Sequence, residues 1–163
     1  MLVIGIDPGT ATTGYGLVEE DSNGELHAVA YGIVSTDPKL TAENRLLEIN
    51  QKINELITLH RPESGAVEKL FFQRNVSTAI AVGQARGVIL LSFAQVSIPV
   101  HEYTPNEVKQ AVTGYGAADK RQVQEMVKTI LNLAELPKPD DAADALAIAI
   151  CHIHSIGYKK LLG

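Results

Sequence analysis

Residues 2–16 read L-V-I-G-I-D-P-G-T-A-T-T-G-Y-G, and the reading of this stretch decides the fold. An apolar run, residues 2–6, ends in one acid, Asp7, and Pro8-Gly9 then turn the chain sharply. A second strand-like run, residues 14–18, follows at hairpin distance. The first run therefore predicts a buried central strand with a carboxylate at its end. Burying that carboxylate is costly unless it is paired, hydrogen-bonded or metal-bound. Two readings of Asp7 stand side by side: a turn aspartate closing the Pro-Gly turn onto its own backbone, or one member of a site. The other acids of the chain bear on the choice.

Outward from this hairpin, residues 26–34 resume strand character after a polar turn at 19–24, which predicts an antiparallel meander of three strands. Leu46, Ile49, Ile53, Leu56 and His60 recur at helical spacing, with Glu48 and Lys52 placed as an i,i+4 pair. Arg61-Pro62 ends that helix. Residues 65–70 form a short strand carrying Glu68, and strand–helix–strand implies a parallel pairing with a right-handed crossover. A loop F-F-Q-R-N leads to a helix over 77–96, in which Ala79, Gly83 and Gly87 lie four apart on one face. That spacing serves helix-on-sheet packing or a subunit interface. Another strand is expected at 99–103. Thr104-Pro105-Asn106-Glu107 then starts a helix bearing Lys109, with Thr at the N-cap, Pro at N1 and Glu at N3. A further helix over 119–133 precedes the last one, D-D-A-A-D-A-L-A-I-A-I-C-H-I-H.

The 163 residues suit one domain, 1–163, with a proper core. Nearly half are apolar and a fifth charged, an ordinary globular composition. No apolar run approaches the roughly 18 residues of a membrane span, and the N-terminus lacks the pattern of a signal peptide. The single cysteine, Cys151, fits a buried structural thiol in a reducing compartment. The expected location is therefore cytoplasmic, with no membrane partner. A net charge of −5 weighs against nucleic acid, but it is uneven: residues 1–68 carry four basic and eleven acidic side chains. Cations bound among several of those acids would cancel much of that charge.

The final helix is otherwise apolar, yet Asp140, Asp141 and Asp144 fall in its first turns. The helix dipole accounts for an acid in the first turn. It accounts less well for Asp144, where a structural helix would place an apolar residue. Asp141 and Asp144 are i,i+3 and share a face. Asp7, Glu68 and this pair thus offer acids from three elements to one place. Oxygen-only ligands suit Mg²⁺ or Mn²⁺ rather than zinc. Two such ions about 4 Å apart can activate a water and stabilise the leaving oxygen in phosphodiester cleavage.

The motifs I-G-I-D-P-G, A-V-E, G-Q-A-R-G-V and D-A-A-D-A-L-A-I-A, with an intervening V-K-Q and G-x-G-x-A-x-K-x-x-V-Q, run nearly end to end and in order. In this set the chain resembles the RuvC family of Holliday-junction resolvases. The resemblance implies an α/β, ribonuclease-H-like fold: a five-stranded mixed sheet, three strands antiparallel, flanked by helices. It implies a homodimer that cuts four-way junction DNA symmetrically and leaves 5′-phosphate nicks, working beside a branch-migration complex. Carried over by motif, Asp7, Glu68, Asp141 and Asp144 are the catalytic metal ligands, for two Mg²⁺ or Mn²⁺ ions per active site. Lys120 matches a lysine near the scissile phosphate, Lys109 one in the DNA-contacting region, and Phe71 an aromatic near the junction centre. Asp140 matches no family role and is expected to cap the helix. Rival readings are a ribosomal-RNA-processing nuclease of the YqgF type, an actin-like ATP-binding module, and an inactive scaffold.

Overall fold

The computed structural model describes residues 1–69 and 75–163. These form β1 (Leu2–Asp7), β2 (Thr12–Glu20), β3 (Leu26–Ser35), α1 (Ala42–His60), β4 (Ser64–Glu68), α2 (Val76–Gln95), β5 (Val100–Tyr103), α3 (Pro105–Thr113), α4 (Lys120–Ile130) and α5 (Asp140–Leu162). The five strands make one mixed sheet in the order β3-β2-β1-β4-β5. β1–β2 and β2–β3 are antiparallel; β1–β4 and β4–β5 are parallel. The expected meander and parallel β1–β4 pairing thus place β1 at the centre, hydrogen-bonded on both sides.

Strand periodicity sorts side chains between the two faces of the sheet. Ile4 and Ile6 of β1 pack with Val67 of β4 against α1 and α2, in a cluster that includes Ile49, Ile53, Ile57, Ile89 and Phe93. Val3 of β1, Val18 of β2 and Ala66 of β4 face the other way, against α5, with α3 and α4 packed outside it. Asp7 is two residues beyond Gly5 and Glu68 two beyond Ala66, so both acids inherit the α5 face. The β1–β4 register runs to Ile6↔Val67, so the next step brings the ends carrying Asp7 and Glu68 side by side.

The glycines of the opening stretch let α5 lie directly on the strands. A Cβ at Gly5 would run into the carbonyl oxygen of Ala145, and one at Gly14 into that of Asp141. Ala145 and Ala149, the helix residues that meet Gly5, are fully buried. Such small side chains allow backbone-to-backbone approach, which carries Asp141 and Asp144 down to the strand ends.

Several local expectations are corrected. Lys52 meets Glu55, at 2.9 Å and i,i+3, rather than Glu48. The buried stripe of α1 is Ile49, Ile53 and Ile57, not one that ends on His60. α4 stops at Ile130, with Leu131 as its C-cap, short of residue 133. On α2, Ala79 and Gly87 do not share an environment: Ala79 is buried, whereas Gly87 has open space where a Cβ would stand. Four residues advance a helix by 400°, so two such steps rotate the stripe by about 80°. The outward stripe is Val76, Ile80, Gly87 and Leu91, three of them large apolar side chains 74%, 56% and 54% exposed. α2 is also long and apolar enough, by length and composition, to span a membrane, contrary to the expectation from the sequence. It carries Arg86, ion-paired with Glu102 on β5, and packs Ala85, Ile89 and Phe93 into the core.

Candidate active site

The turn after β1 is closed by Thr13, not by Asp7. The buried Thr13 hydroxyl donates to the Gly9 carbonyl at 2.6 Å, and the Gly9 amide donates back to the Thr13 hydroxyl oxygen at 3.4 Å. Asp7 is left facing α5. One carboxylate oxygen from each of Asp7, Asp141 and Asp144 can lie within 4.8 Å of the others. Asp141 and Asp144 reach this point from successive turns of α5, as their i,i+3 spacing requires.

Glu68 and Asp144 line one cavity of about 280 Å³ together with Lys109 and Lys120. Each lysine is delivered by a well-started helix. Thr104 and Glu107 form a reciprocal capping box at the start of α3, which carries Lys109. Asp119 and Gln122 do the same at the start of α4, whose first residue is Lys120. Lys120 Nζ lies 3.5 Å from Asp144 and 3.3 Å from Asp140.

The electrostatics are those of crowded, partly dried carboxylates. Burial, then the charges of Asp144, Glu68 and Asp141, push Asp7 up from 3.8 to about 8, against a downward pull from Lys120. Burial also raises Glu68, helped by Asp144 and opposed by Lys109. Asp144 is raised by burial foremost, with Lys120 opposing and Asp141 and Asp140 adding to it. Burial acts to lower the Lys120 ammonium, but Asp144 and Asp140 outweigh it and hold the pKa up. Carboxylates in this state lack positive charge at the centre of the cluster. Hard, oxygen-seeking cations such as Mg²⁺ or Mn²⁺ fit the donor set.

Asp140 does not cap α5. Pro139 stands at the N-cap, and both Asp140 oxygens turn to α4, one to Lys120 and the other accepting from Gln124 Nε2 at 3.1 Å. Lys120 holds the Asp140 carboxyl below its usual range, with Gln124 assisting. Cys151 is buried, its thiol pushed up to about 11 by desolvation, consistent with a structural role. Phe71, like Phe72, lies outside the described residues. Sequence reading missed Thr13 as the residue closing the turn, and Gln124 as a partner of the site. The Thr13–Gly9 spacing was visible in the chain; nothing local in the sequence joins Gln124 to Asp140.

Comparison with known proteins supplies the remaining step. The family model described as crossover junction endodeoxyribonuclease RuvC matches residues 3–152. Crossover junction endodeoxyribonuclease RuvC of Desulfitobacterium hafniense is 55% identical over 163 residues, covering 100% of this chain and 98% of that one. The protein of the same description from Heliobacterium modesticaldum is 56% identical over 156 residues, 96% of each. Thermus thermophilus RuvC superposes with a TM-score of 0.91 at 38% identity, over 98% of this chain and 97% of that one. The same protein in complex with Holliday junction substrate gives 0.89 at 36%, over 97% and 96%. Yeast mitochondrial Holliday junction resolvase Ydc2, at 15% identity and a TM-score of 0.72, shares the ribonuclease-H-like fold. The chain belongs to the RuvC family, the crossover junction endodeoxyribonucleases.

Proposed function

We propose that this chain, acting as one nuclease domain over residues 1–163, resolves four-way DNA junctions as a homodimer by metal-dependent phosphodiester hydrolysis, leaving 5′-phosphate nicks. The observation that carries the reading is the convergence of Asp7, Asp141 and Asp144 within 4.8 Å at a strand end, beside a cavity that Glu68 shares with two lysines. The structural match to Thermus thermophilus RuvC in complex with Holliday junction substrate supports the choice of DNA.

Asp7, Glu68, Asp141 and Asp144 are the residues that would hold Mg²⁺ or Mn²⁺, two ions per site. Bound there, such ions would supply water activation and stabilisation of the leaving 3′-oxygen. Asp7 and Glu68 stand on rigid strand ends and Asp141 and Asp144 on a seated helix, so the ligands need little reorganisation. Lys120 leaves Asp144 as the phosphate arrives and presents its ammonium to the scissile group. Lys109 meets a neighbouring phosphate, and Phe71 stacks on an unpaired base near the junction centre, a contact worth about 1–3 kcal/mol.

Paired cuts on a two-fold substrate call for two equivalent active sites. The outward stripe of α2, Val76, Ile80, Gly87 and Leu91, is the surface assigned to the partner subunit: it is apolar, and Gly87 lets a second backbone come close. The enzyme is placed in the cytoplasm beside a branch-migration complex, on the strength of the family resemblance.

A synthetic mobile four-way junction, incubated with and without Mg²⁺ beside duplex DNA and RNA, tests the reading. Symmetric, ligatable cuts confined to the junction and to the metal-containing reaction are expected. Cleavage of RNA or plain duplex with the junction left intact would overturn it.

A further inference from the structure

Three residues far apart in the chain meet inside the α5 face of the sheet. His152 of α5 is fully buried. Its Nε2 lies 2.9 Å from the Ser64 hydroxyl at the start of β4, and its Nδ1 lies 2.8 Å from the Tyr103 hydroxyl at the end of β5. The His101 ring packs on the same imidazole at 4.6 Å between centroids. Ser64 and Glu68 occupy the same face of β4 by strand periodicity, and Tyr103 directly precedes Thr104, the cap of the helix bearing Lys109. One imidazole therefore ties the helix of Asp141 and Asp144 to the strand of Glu68 and to the root of α3.

We propose that His152, held between Ser64 and Tyr103, is a positioning residue that fixes the rotation and register of α5 and so sets Asp141 and Asp144 opposite Asp7 and Glu68. The inference rests on those carboxylates forming the metal site.

The need for such a pin follows from the seam. Where α5 crosses β1 and β2, Gly5 meets the backbone of Ala145 and Ala149, Gly14 that of Asp141, and Gly16 meets Leu146, a close apolar contact whose attraction is non-directional and sets no rotation of the helix by itself. Among the described residues, the Ser64 and Tyr103 contacts are the side-chain hydrogen bonds that join α5 to the sheet. The other polar side-chain links from α5 to another element run to α3 or α4: Cys151 to Glu107, His154 to Ala111, Gln124 to Asp140, and Lys120 to Asp140 and Asp144. His152 is 11 residues beyond Asp141, three turns on and within about 20° of the same helix face. A roll of about 15° would move a carboxylate about 5–6 Å off the axis by about 1.5 Å. Mg²⁺ demands near-ideal octahedral geometry at about 2.0–2.1 Å, so a shift of that size removes a ligand.

A neutral imidazole offers one donor and one acceptor, and a hydroxyl can complement either. Burial, then His101 and Lys159, keep the ring uncharged down to about 4. The ring, and with it the bridge, is therefore in its neutral form at neutral pH.

The test uses Tyr103→Phe and Ser64→Ala, each of which removes one hydroxyl, alongside His152→Gln. Mn²⁺ affinity of the DNA-free protein is read from the EPR signal of the free ion, and unfolding temperature is measured in EDTA. Each single-hydroxyl variant is expected to weaken Mn²⁺ binding about three- to tenfold, less than the roughly 10–100-fold typical of residues that bond a metal ligand directly, because each acts through the helix. Cleavage should be restored at saturating metal. Loss of thermal stability with an unchanged Mn²⁺ dissociation constant would show a merely structural role and overturn the proposal, as would no change in either. If the wild-type chain itself fails to bind Mn²⁺, the metal-site reading fails first and this inference falls with it.

Discussion

On the α5 face of the sheet, charge stands where apolar side chains normally go; on the outer side of α2, apolar side chains stand in water. Asp7, Glu68 and Asp144 are half-buried or more among Ala and Val, and their pKa values are raised by that burial. Val76, Ile80 and Leu91 are more than half exposed on a helix that also supplies core residues. Each departure costs stability in the isolated chain, and each would be relieved by something the chain does not itself contain. The buried carboxylates call for cations, the exposed stripe for apolar surface. The comparison teaches that the positions where this sequence folds least comfortably are those that the proposed function uses.

The comparison breaks most sharply at Asp144. Asp144→Asn removes one proposed ligand and one of the charges raising Asp7. Junction cleavage should fall at least about a thousandfold, about 4 kcal/mol of barrier, while junction binding in gel-shift experiments stays largely intact. Unfolding temperature in EDTA should rise, because a buried like charge has gone. Cleavage at the wild-type rate in Mg²⁺, or a drop in metal-free stability, would place the site elsewhere.

The other side is tested with Ile80→Glu and Leu91→Glu. Carboxylates placed inside an apolar contact are desolvated without partners, so the dimer dissociation constant should rise about a hundredfold or more. Sedimentation velocity at micromolar concentration reads this directly, and junctions should be nicked singly rather than in pairs. A monodisperse wild-type monomer, or variants that dimerise normally, would leave the stripe without its assigned role.

The pH dependence separates the two faces, since α2's stripe has nothing to titrate. Asp7 holds its proton up to about 8 in the folded chain against 3.8 as its ordinary value. The folded state therefore binds more protons than the unfolded one between those limits, and stability from this group falls as pH rises through them. His152 runs the other way. Its folded value near 4 lies below the ordinary 6.5, so its contribution is lost as pH falls below about 6.5. Comparing about pH 6.5 with about pH 8.5 isolates Asp7. Stability in EDTA should fall toward the higher pH, and the rise in unfolding temperature on adding Mg²⁺ should be larger there. Metal binding must expel the Asp7 proton, so apparent Mg²⁺ affinity should drop by up to about tenfold per pH unit below 8. Equal Mg²⁺ stabilisation at both values would remove Asp7 from the metal site.

The sheet and the carboxylates were legible because each is written in local spacing. A buried strand ending in an acid, an i,i+3 acid pair on an apolar helix and a Thr-Pro-x-Glu start are all short-range patterns, and the fold honours them. The α2 face was misjudged by accumulation: four-residue spacing drifts 40° per step, enough to carry Gly87 out of the face that buries Ala79. The His152 bridge was invisible because its partners lie 88 and 49 residues away, joined only by the folded sheet. Asp140 was misread for a related reason. Position in a first turn suggests capping, but its partners come from α4, 20 and 16 residues earlier in the chain.

Asp140 also offers the smallest test, and it sharpens where the site ends. Its two oxygens hold Lys120 and Gln124, one turn apart on α4, so it orients the lysine proposed to meet the phosphate. Asp140 and Lys120 are both more than half exposed, however, and water screens such a pair heavily. Asp140→Asn keeps the Gln124 contact and removes only the charge that competes with the phosphate for Lys120. The change in cleavage rate at saturating Mg²⁺ should be no more than about fivefold. Any effect should shrink further at high salt, where the wild-type pair is already screened. A loss as large as that of Asp144→Asn would make Asp140 a fifth ligand and extend the buried cluster one residue toward solvent. A small, salt-sensitive effect instead confines the metal-binding carboxylates to those the sheet and α5 bury, because only there is charge costly enough to need a cation.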